Sequence, residues 1–156
     1  MKKNICLMLV MLLAVAGCET MPKQTKSALE LQSIQSKEFE TSKKVAFAAV
    51  LSVLQDVGYT VLSANLDTGL ITAKSPTKAG FQLFVGQTME DIKATAFIEE
   101  IVTNRAKVRI NLVSSKETSS GHGMKGGYEM PIETPEIYQD IFAKVQQGIF
   151  VRKNTQ

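Results

Sequence analysis

The chain has 156 residues and a formal net charge of +3, with 44% hydrophobic residues, 6% aromatic residues and no tryptophan. This length suits one domain with an extension, and is too short for two domains of ordinary size. The 18 lysines and arginines are scattered along the chain. Nucleic-acid binding needs clustered cations that displace counterions, so no nucleic-acid partner is expected.

The N-terminal segment has the order of a secretion signal. Lys2 and Lys3 precede an unbroken apolar run over residues 5–16, about 12 residues long. A bilayer-spanning helix needs roughly 20 apolar residues, so this run is too short to span but suits the hydrophobic part of a signal peptide. We therefore predict that the segment is a targeting signal rather than part of the folded body.

The apolar run leads into Val15-Ala16-Gly17-Cys18, which resembles the lipobox of bacterial lipoproteins. In that family the cysteine thiol receives a diacylglycerol, the chain is cut just before the cysteine, and the new amino terminus usually receives palmitate. The resemblance implies that residues 1–17 are a cleaved signal peptide and that Cys18 is the lipidation site. A buried structural cysteine, or cleavage after Ala16 or Gly17 without lipid, is the alternative.

Processing of this kind has three consequences. Loss of Lys2 and Lys3 takes the formal charge from +3 down by two to +1. Cys6 is discarded and Cys18 is acylated, so neither an intramolecular disulfide nor a thiolate metal site is expected. In enteric-type bacteria, Asp after the lipidated cysteine favours retention in the inner membrane. Glu19 is not Asp, so the resemblance implies the periplasmic face of the outer membrane.

Residues 18–37 are rich in Gln, Lys, Ser, Thr and Glu and contain few apolar residues. We predict that they form a flexible tether, and a short helical turn over residues 27–35 is compatible with this interpretation. About 20 flexible residues have a root-mean-square reach of roughly 25 Å. Such a tether would hold a folded body, predicted over residues 38–152, clear of the lipid headgroups.

Two amphipathic helices are predicted in this body. The first covers residues 42–57 and ends at Gly58, which suits a left-handed C-terminal position. The second covers residues 135–150, with Thr134 as N-cap and Pro135 at its first position. Their apolar stripes are Phe47, Val50, Leu51 and Leu54 in the first, and Tyr138, Ile141, Phe142, Val145 and Ile149 in the second.

Period-two alternation predicts two hairpins, residues 59–64 with 70–74 and residues 92–102 with 106–115, and a short strand around Phe39. The fold class is therefore α+β. It has two layers, with an antiparallel sheet and both helices packed on one face. The predicted core face of the second hairpin contains Ala94, Ala96, Ile98 and Val102 on one strand and Val108, Ile110 and Leu112 on the other.

Two segments are harder to interpret. Residues 76–89 fit a short helix, a strand or a lid, and a further piece of core is the favoured interpretation. If exposed, this segment would offer an apolar patch to lipid or a partner. Residues 114–127 are rich in Ser, Lys, Thr and Gly and are predicted to form a mobile hairpin or a crossover loop. The apolar patch of residues 76–89 would consist of Phe81, Leu83, Phe84 and Val85.

No set of residues predicts catalysis, a cofactor or a metal. His122 is the only histidine and lies in a Gly-rich loop, where nothing orients its imidazole as a base. Glu99 and Glu100 are adjacent in a predicted strand and point to opposite faces. The glycines near Lys125 lack the strand-to-helix junction of a phosphate loop. We expect a non-enzymatic protein.

Several stretches of the body together carry a family resemblance: Phe39-Glu-Thr-Ser, Val53-Leu-Gln-Asp-Val-Gly-Tyr59, Ala106-Lys-Val-Arg-Ile-Asn-Leu112, Pro135-Glu-Ile-Tyr-Gln-Asp-Ile-Phe-Ala-Lys-Val145 and Ile149-Phe150. Over about 110 residues the chain resembles a group of small proteobacterial outer-membrane lipoproteins of unassigned activity. Its order of helix and sheet is also similar to the helix-grip domains in the C subunit of the β-barrel assembly machine, a lipoprotein that acts through protein contacts.

These features predict a membrane-anchored periplasmic lipoprotein. Its body would present a protein-binding or structural module in envelope assembly or maintenance, with an envelope protein as partner. The alternative function is a carrier of a small apolar ligand or lipid, held in a cleft between sheet and helix. A hydrolase based on His122 is the third hypothesis and the least favoured.

Overall fold

The computed structural model describes residues 26–82, 86–119 and 125–154. The predictions on the signal peptide, Cys18, Glu19, residues 83–85 and His122 lie outside these residues. The helices are α1 (Ala28–Gln35), α2 (Lys43–Asp56) and α3 (Pro135–Asn154). The strands are β1 (Ser36–Phe39), β2 (Thr60–Asn65), β3 (Leu70–Lys74), β4 (Lys78–Gln82), β5 (Gly86–Val102), β6 (Arg105–Ser119) and β7 (Lys125–Pro131).

The described strands form one antiparallel sheet around the long β5–β6 hairpin. The order β1-β6-β5-β3-β2 crosses one end of this hairpin, and β4 and β7 flank its other end. Each long strand therefore has two partners in succession along its outer edge. The result is a five-stranded end and a four-stranded extension.

The core lies between one face of the five-stranded end and the helices α2 and α3. Buried side chains alternate with more exposed ones along β6, as expected for a sheet that is covered on one face. Both helices contribute apolar side chains to the same core cluster as the sheet. The ring centroids of Phe39 and Phe142 lie 6.3 Å apart in this layer. The predicted α+β class, with both long helices on one face, is confirmed.

The two long helices lie close to their predicted positions. Ser42 caps α2 and accepts a hydrogen bond from the amide of Val45, and Gly58 follows the helix with a φ of +90°. The helix α3 continues four residues beyond the predicted end at residue 150. Arg152 and Lys153 lie in its last turn, where cations stabilise the negative end of the helix dipole. Arg152 also donates to the Ser52 hydroxyl of α2 at 2.6 Å.

The C-terminal part of the predicted tether is folded: the helical turn that the sequence allowed over residues 27–35 is present as α1. Ser27 and Glu30 form a reciprocal capping box at the start of α1. Hydrogen bonds from the backbone and hydroxyl of Ser27 lower the pKa of the Glu30 carboxyl. Ile34 packs against the core and the side chain of Gln35 is buried. The helix therefore belongs to the folded body.

Of the two forms predicted for residues 114–127, the antiparallel hairpin is the one found, but its described residues are strands rather than a loop. Residues 114–119 continue β6, and Lys125–Pro131 forms β7 beside them, with Ser119 opposite Lys125. Residues 113–119 of β6 and all of β7 contain no buried residue, so these strands lack the alternation of buried and exposed side chains seen in the rest of β6. The neighbouring strands supply the backbone hydrogen bonds instead.

The segment 76–89 pairs as a hairpin, with β4 against the start of β5. The strand interpretation is therefore confirmed for the residues of this segment that the structure describes, which do not include the side chain of Phe81.

Val102 was predicted to share the core face, but it is 57% exposed. A register shift between Glu100 and Val102 turns the strand end outward, and Asn104 then adopts a φ of +60° in the turn.

Candidate functional site

Three carboxylates of β5 have local structural partners. Asp91 forms an ion pair with Lys74 at 3.2 Å, and Glu90 accepts a hydrogen bond from the Ser114 hydroxyl at 3.3 Å. Glu100 accepts from the backbone amide of Asn104 at 3.1 Å. Across residues 26–82, 86–119 and 125–154, no three His, Cys, Asp or Glu side chains could together hold a metal ion.

The face of the sheet opposite α2 and α3 carries exposed apolar side chains. Phe97 is 39% exposed, whereas its neighbour Ile98 is fully buried on the core face. The register places Phe97 between Leu70 on β3 and Arg109 on β6. Leu70 is 46% exposed. We call this surface the open face.

A groove runs between α1 and the open face, with a volume of about 530 Å³. Leu31 of α1 and Phe97 of the sheet give it apolar walls, and Gln35 and Arg109 give it polar groups. The lining residues are Ala28, Leu31, Gln35, Thr95, Phe97, Arg109, Asn111 and Pro131. We call it the α1 groove.

Gln35 is the most constrained polar group in the α1 groove, because only 5% of it is exposed. Its amide nitrogen donates to Asn111 Oδ1 at 3.3 Å and to the Tyr138 hydroxyl at 3.5 Å. Tyr138, fully buried in α3, donates in turn to the carbonyl of Ile132 at 2.6 Å. The Gln35 amide oxygen has no donor among the described residues. It is thus available to a ligand.

Arg109 gives the α1 groove a positive charge. Within the described ranges, no carboxylate lies within 4 Å of its guanidinium group. The Lys74–Asp91 pair on the same face is neutral overall. A guanidinium binds a carboxylate through two parallel hydrogen bonds, so this position favours an acidic group in a bound partner.

The hydrogen-bond network beside the groove also reaches the end of α1 where the described chain begins. Lys26 donates to the carbonyl of Glu133, just before α3. At the same end of the core, burial raises the pKa of the Tyr59 phenol, and the nearby Tyr138 phenol raises it further. Lys26, the first described residue, is therefore held next to the N-terminal end of α3.

No motif or spacing in the sequence marked Gln35, Phe97 or Arg109 as a site residue. A usable signal was present for Phe97, because it stands at an outward position between the inward Ala96 and Ile98. A large apolar side chain in an outward position suggests a contact surface. No comparable signal marks Gln35, whose burial depends on partners about a hundred residues away in α3.

Among the described helices, none is both long enough and apolar enough to cross a membrane. No protein-family model matches the chain, and no curated protein matches it significantly. Among solved structures, the chain is similar to a crystal structure of a DUF4468 family protein from Bacteroides ovatus, with a TM-score of 0.41 and 10% sequence identity. The alignment covers 73% of this chain and 84% of that one.

Proposed function

We propose that this protein is a non-enzymatic lipoprotein of the bacterial envelope whose folded body binds another protein through the open face and the α1 groove. The observation that carries the proposal is the exposed Phe97 beside Arg109, whose guanidinium has no carboxylate within 4 Å among the described residues. Aromatic residues and arginine are the side chains that most often dominate binding energy in protein interfaces. A lipid on Cys18 would hold this surface at the periplasmic side of the outer membrane.

The chemistry of the α1 groove indicates the kind of partner. Leu31 and Phe97 offer apolar contact, Arg109 offers a positive charge, and Gln35 offers a hydrogen-bond acceptor. A protein segment with one apolar side chain next to an Asp or Glu satisfies the apolar walls and Arg109, and a backbone amide of the same segment can donate to the Gln35 amide oxygen. We therefore propose an acidic, partly apolar segment of an envelope protein as the occupant.

Photocrosslinking in intact envelopes tests this proposal. A photoreactive amino acid at Phe97 is expected to capture a defined partner protein, whereas the same group at the exposed Gln147 of α3 is not. Adding Arg109→Glu should reduce capture at position 97 at least about tenfold, because it replaces attraction of an acidic segment by repulsion. Equal capture at both positions, or no capture at position 97, would contradict the proposal.

The anchor has a separate test. In cells fed a palmitate analogue, Cys18→Ser is expected to abolish labelling and to release the chain from the membrane fraction, because no thiol remains for the diacylglycerol. Cys6→Ser is the matched control, since Cys6 lies in the apolar run that would be removed. Labelling that persists in Cys18→Ser would refute the lipid anchor at this position.

One observation favours the second candidate, a carrier of a small apolar ligand. The α1 groove lies between a helix and the sheet and exceeds the roughly 300 Å³ of a small-molecule site. Native mass spectrometry of the protein from its own membranes separates the two functions. A stoichiometric small ligand lost in Phe97→Asp favours a carrier, whereas capture of a protein at position 97 favours a binding module.

A further inference from the structure

The outer edge of β7 has no strand partner among the described residues. β7 pairs with β6 along one side only, and all seven of its residues are exposed. The backbone amides and carbonyls on the other side of such a strand are free to pair with another chain. We call this side of Lys125–Pro131 the β7 edge.

The other edges of the sheet are less suited to pairing with another chain. β1 has only four residues, and β2 contains a register shift between Val61 and Ser63. β4 carries Lys78 but no acidic residue, so a second copy of β4 offers that lysine no counterion. β7 differs from these strands, because it carries one charge of each sign, at Lys125 and Glu129.

The two charges of β7 are unpaired within one chain. Lys125 and Glu129 lie on the same face of the strand, since alternate residues point to the same side. They are four residues apart, so their Cα atoms are separated by roughly 13 Å, too far for an ion pair along one strand. Within the described part of the chain, neither has an oppositely charged group within 4 Å.

The order of residues along β7 is complementary to itself. If two β7 strands pair antiparallel with Gly127 opposite Gly127, Lys125 of each copy faces Glu129 of the other. Opposite charges directly across a strand pair attract. The same register places Tyr128 of each copy opposite Gly126 of the other, where the ring can cover a strand position that has no side chain. Tyr128 is 53% exposed in the single chain, so its ring is free to make this contact.

We propose that the partner of the β7 edge is a second copy of this chain, paired antiparallel about a twofold axis at Gly127. A twofold interface uses the same surface of both copies, so each of these contacts occurs twice. The four-stranded extension of each copy then joins the other in one continuous sheet. Residues 128 and 129 do not line the α1 groove, and neither do residues 125–127, so the proposal does not rest on the proposed function.

Disulfide formation in intact envelopes under mild oxidation tests the pairing. Gly127→Cys is expected to give a covalent dimer of the full chain, because residues opposite each other in antiparallel strands lie within disulfide range. The new Cβ fits, since its nearest neighbour is the carbonyl oxygen of Lys116 at 3.4 Å. The parent chain, with Cys6 and Cys18, gives the background. Absence of a dimer above this background would overturn the proposal.

Glu129→Cys is the matched control for position 127. It lies on the same strand and the same face, but its two copies would be at least about 13 Å apart in the proposed register. It should therefore give no dimer above background. Equal dimer yields from Gly127→Cys and Glu129→Cys would mean that the crosslinks come from random collisions, which would overturn the proposal.

Charge reversal tests the contact between Lys125 and Glu129. In the Gly127→Cys chain, Lys125→Glu or Glu129→Lys alone should lower the dimer yield roughly tenfold, because both cross-strand pairs become repulsive. The double reversal should restore the yield. The two single variants, carrying different tags in one cell, should crosslink with each other, since each supplies the charges that the other needs. Failure of both rescues would show that this register is wrong.

Photocrosslinking checks the same register with Gly127 intact. A photoreactive amino acid at Tyr128 is expected to give an adduct of twice the chain mass, and mass spectrometry should find the linked peptide to contain Gly126 of the second copy. Adducts with other proteins alone would contradict the proposal. An adduct between two copies that is linked away from β7 would contradict it as well.

Discussion

Replacing Gly69 by alanine is expected to lower the free energy of unfolding by at least about 3 kcal/mol. A Cβ atom at this position would lie 2.0 Å from the carbonyl oxygen of Ile98, which is backbone and cannot rotate away. Gly69 also has a φ of +77°, and its own carbonyl accepts from the Ile98 amide at 2.8 Å. The substitution therefore pushes the start of β3 away from β5. Chemical denaturation followed by circular dichroism measures the loss.

Gly58→Ala is the matched control. Gly58 also has a positive φ, of +90°, but a Cβ there meets no atom within 4 Å. The expected loss is about 1 kcal/mol, which reflects the backbone conformation alone. If the two variants lose equal stability, the close approach of Gly69 to β5 is not what limits this position.

Tyr138→Ala is the second large effect, with an expected loss of about 3–5 kcal/mol. The ring is fully buried in the core, so its removal leaves a cavity between α3 and the sheet. The hydroxyl is also the link between Gln35 on α1 and the carbonyl of Ile132 before α3. Thermal and denaturant unfolding of the purified full chain provide the measurement.

Tyr138→Phe separates the hydroxyl from the ring. It keeps the packing and is expected to lose about 1 kcal/mol, the net value of a buried hydrogen bond. It also removes one of the two acceptors that hold Gln35, so capture of a partner at position 97 should fall while the protein remains folded. A Tyr138→Phe variant as unstable as Tyr138→Ala would show that the hydrogen bonds dominate the ring packing.

The helices were predictable because their signals are local. Ser42 and Gly58 bracket α2, and Pro135 begins α3, within a residue or two of the predicted bounds. A cap or a terminating glycine acts within one turn of a helix, so the sequence alone reveals it. The central hairpin was predictable for a similar reason, since Val108 and Ile110 alternate with polar neighbours.

The extension of the sheet was not predictable in the same way. Residues 114–119 have no apolar alternation, and β7 contains Gly126 and Gly127, which disfavour strands on their own. Pairing forms these strands nevertheless, since residues 114–119 lie between β5 and β7, and β7 pairs with β6 along one edge. The outward turn of Val102 depends on a bulge between β5 and β6, and a bulge changes the face of every later side chain.

The amino-acid sequence by itself determined the α+β class, the ends of the long helices and most of the buried face, because caps and periodicity are properties of neighbouring residues. Only the tertiary structure decided the α1 groove. Gln35 meets Asn111 across 76 residues of sequence and Tyr138 across 103 residues. Sites of this kind depend on strand register and helix docking, and neither is encoded within any single segment.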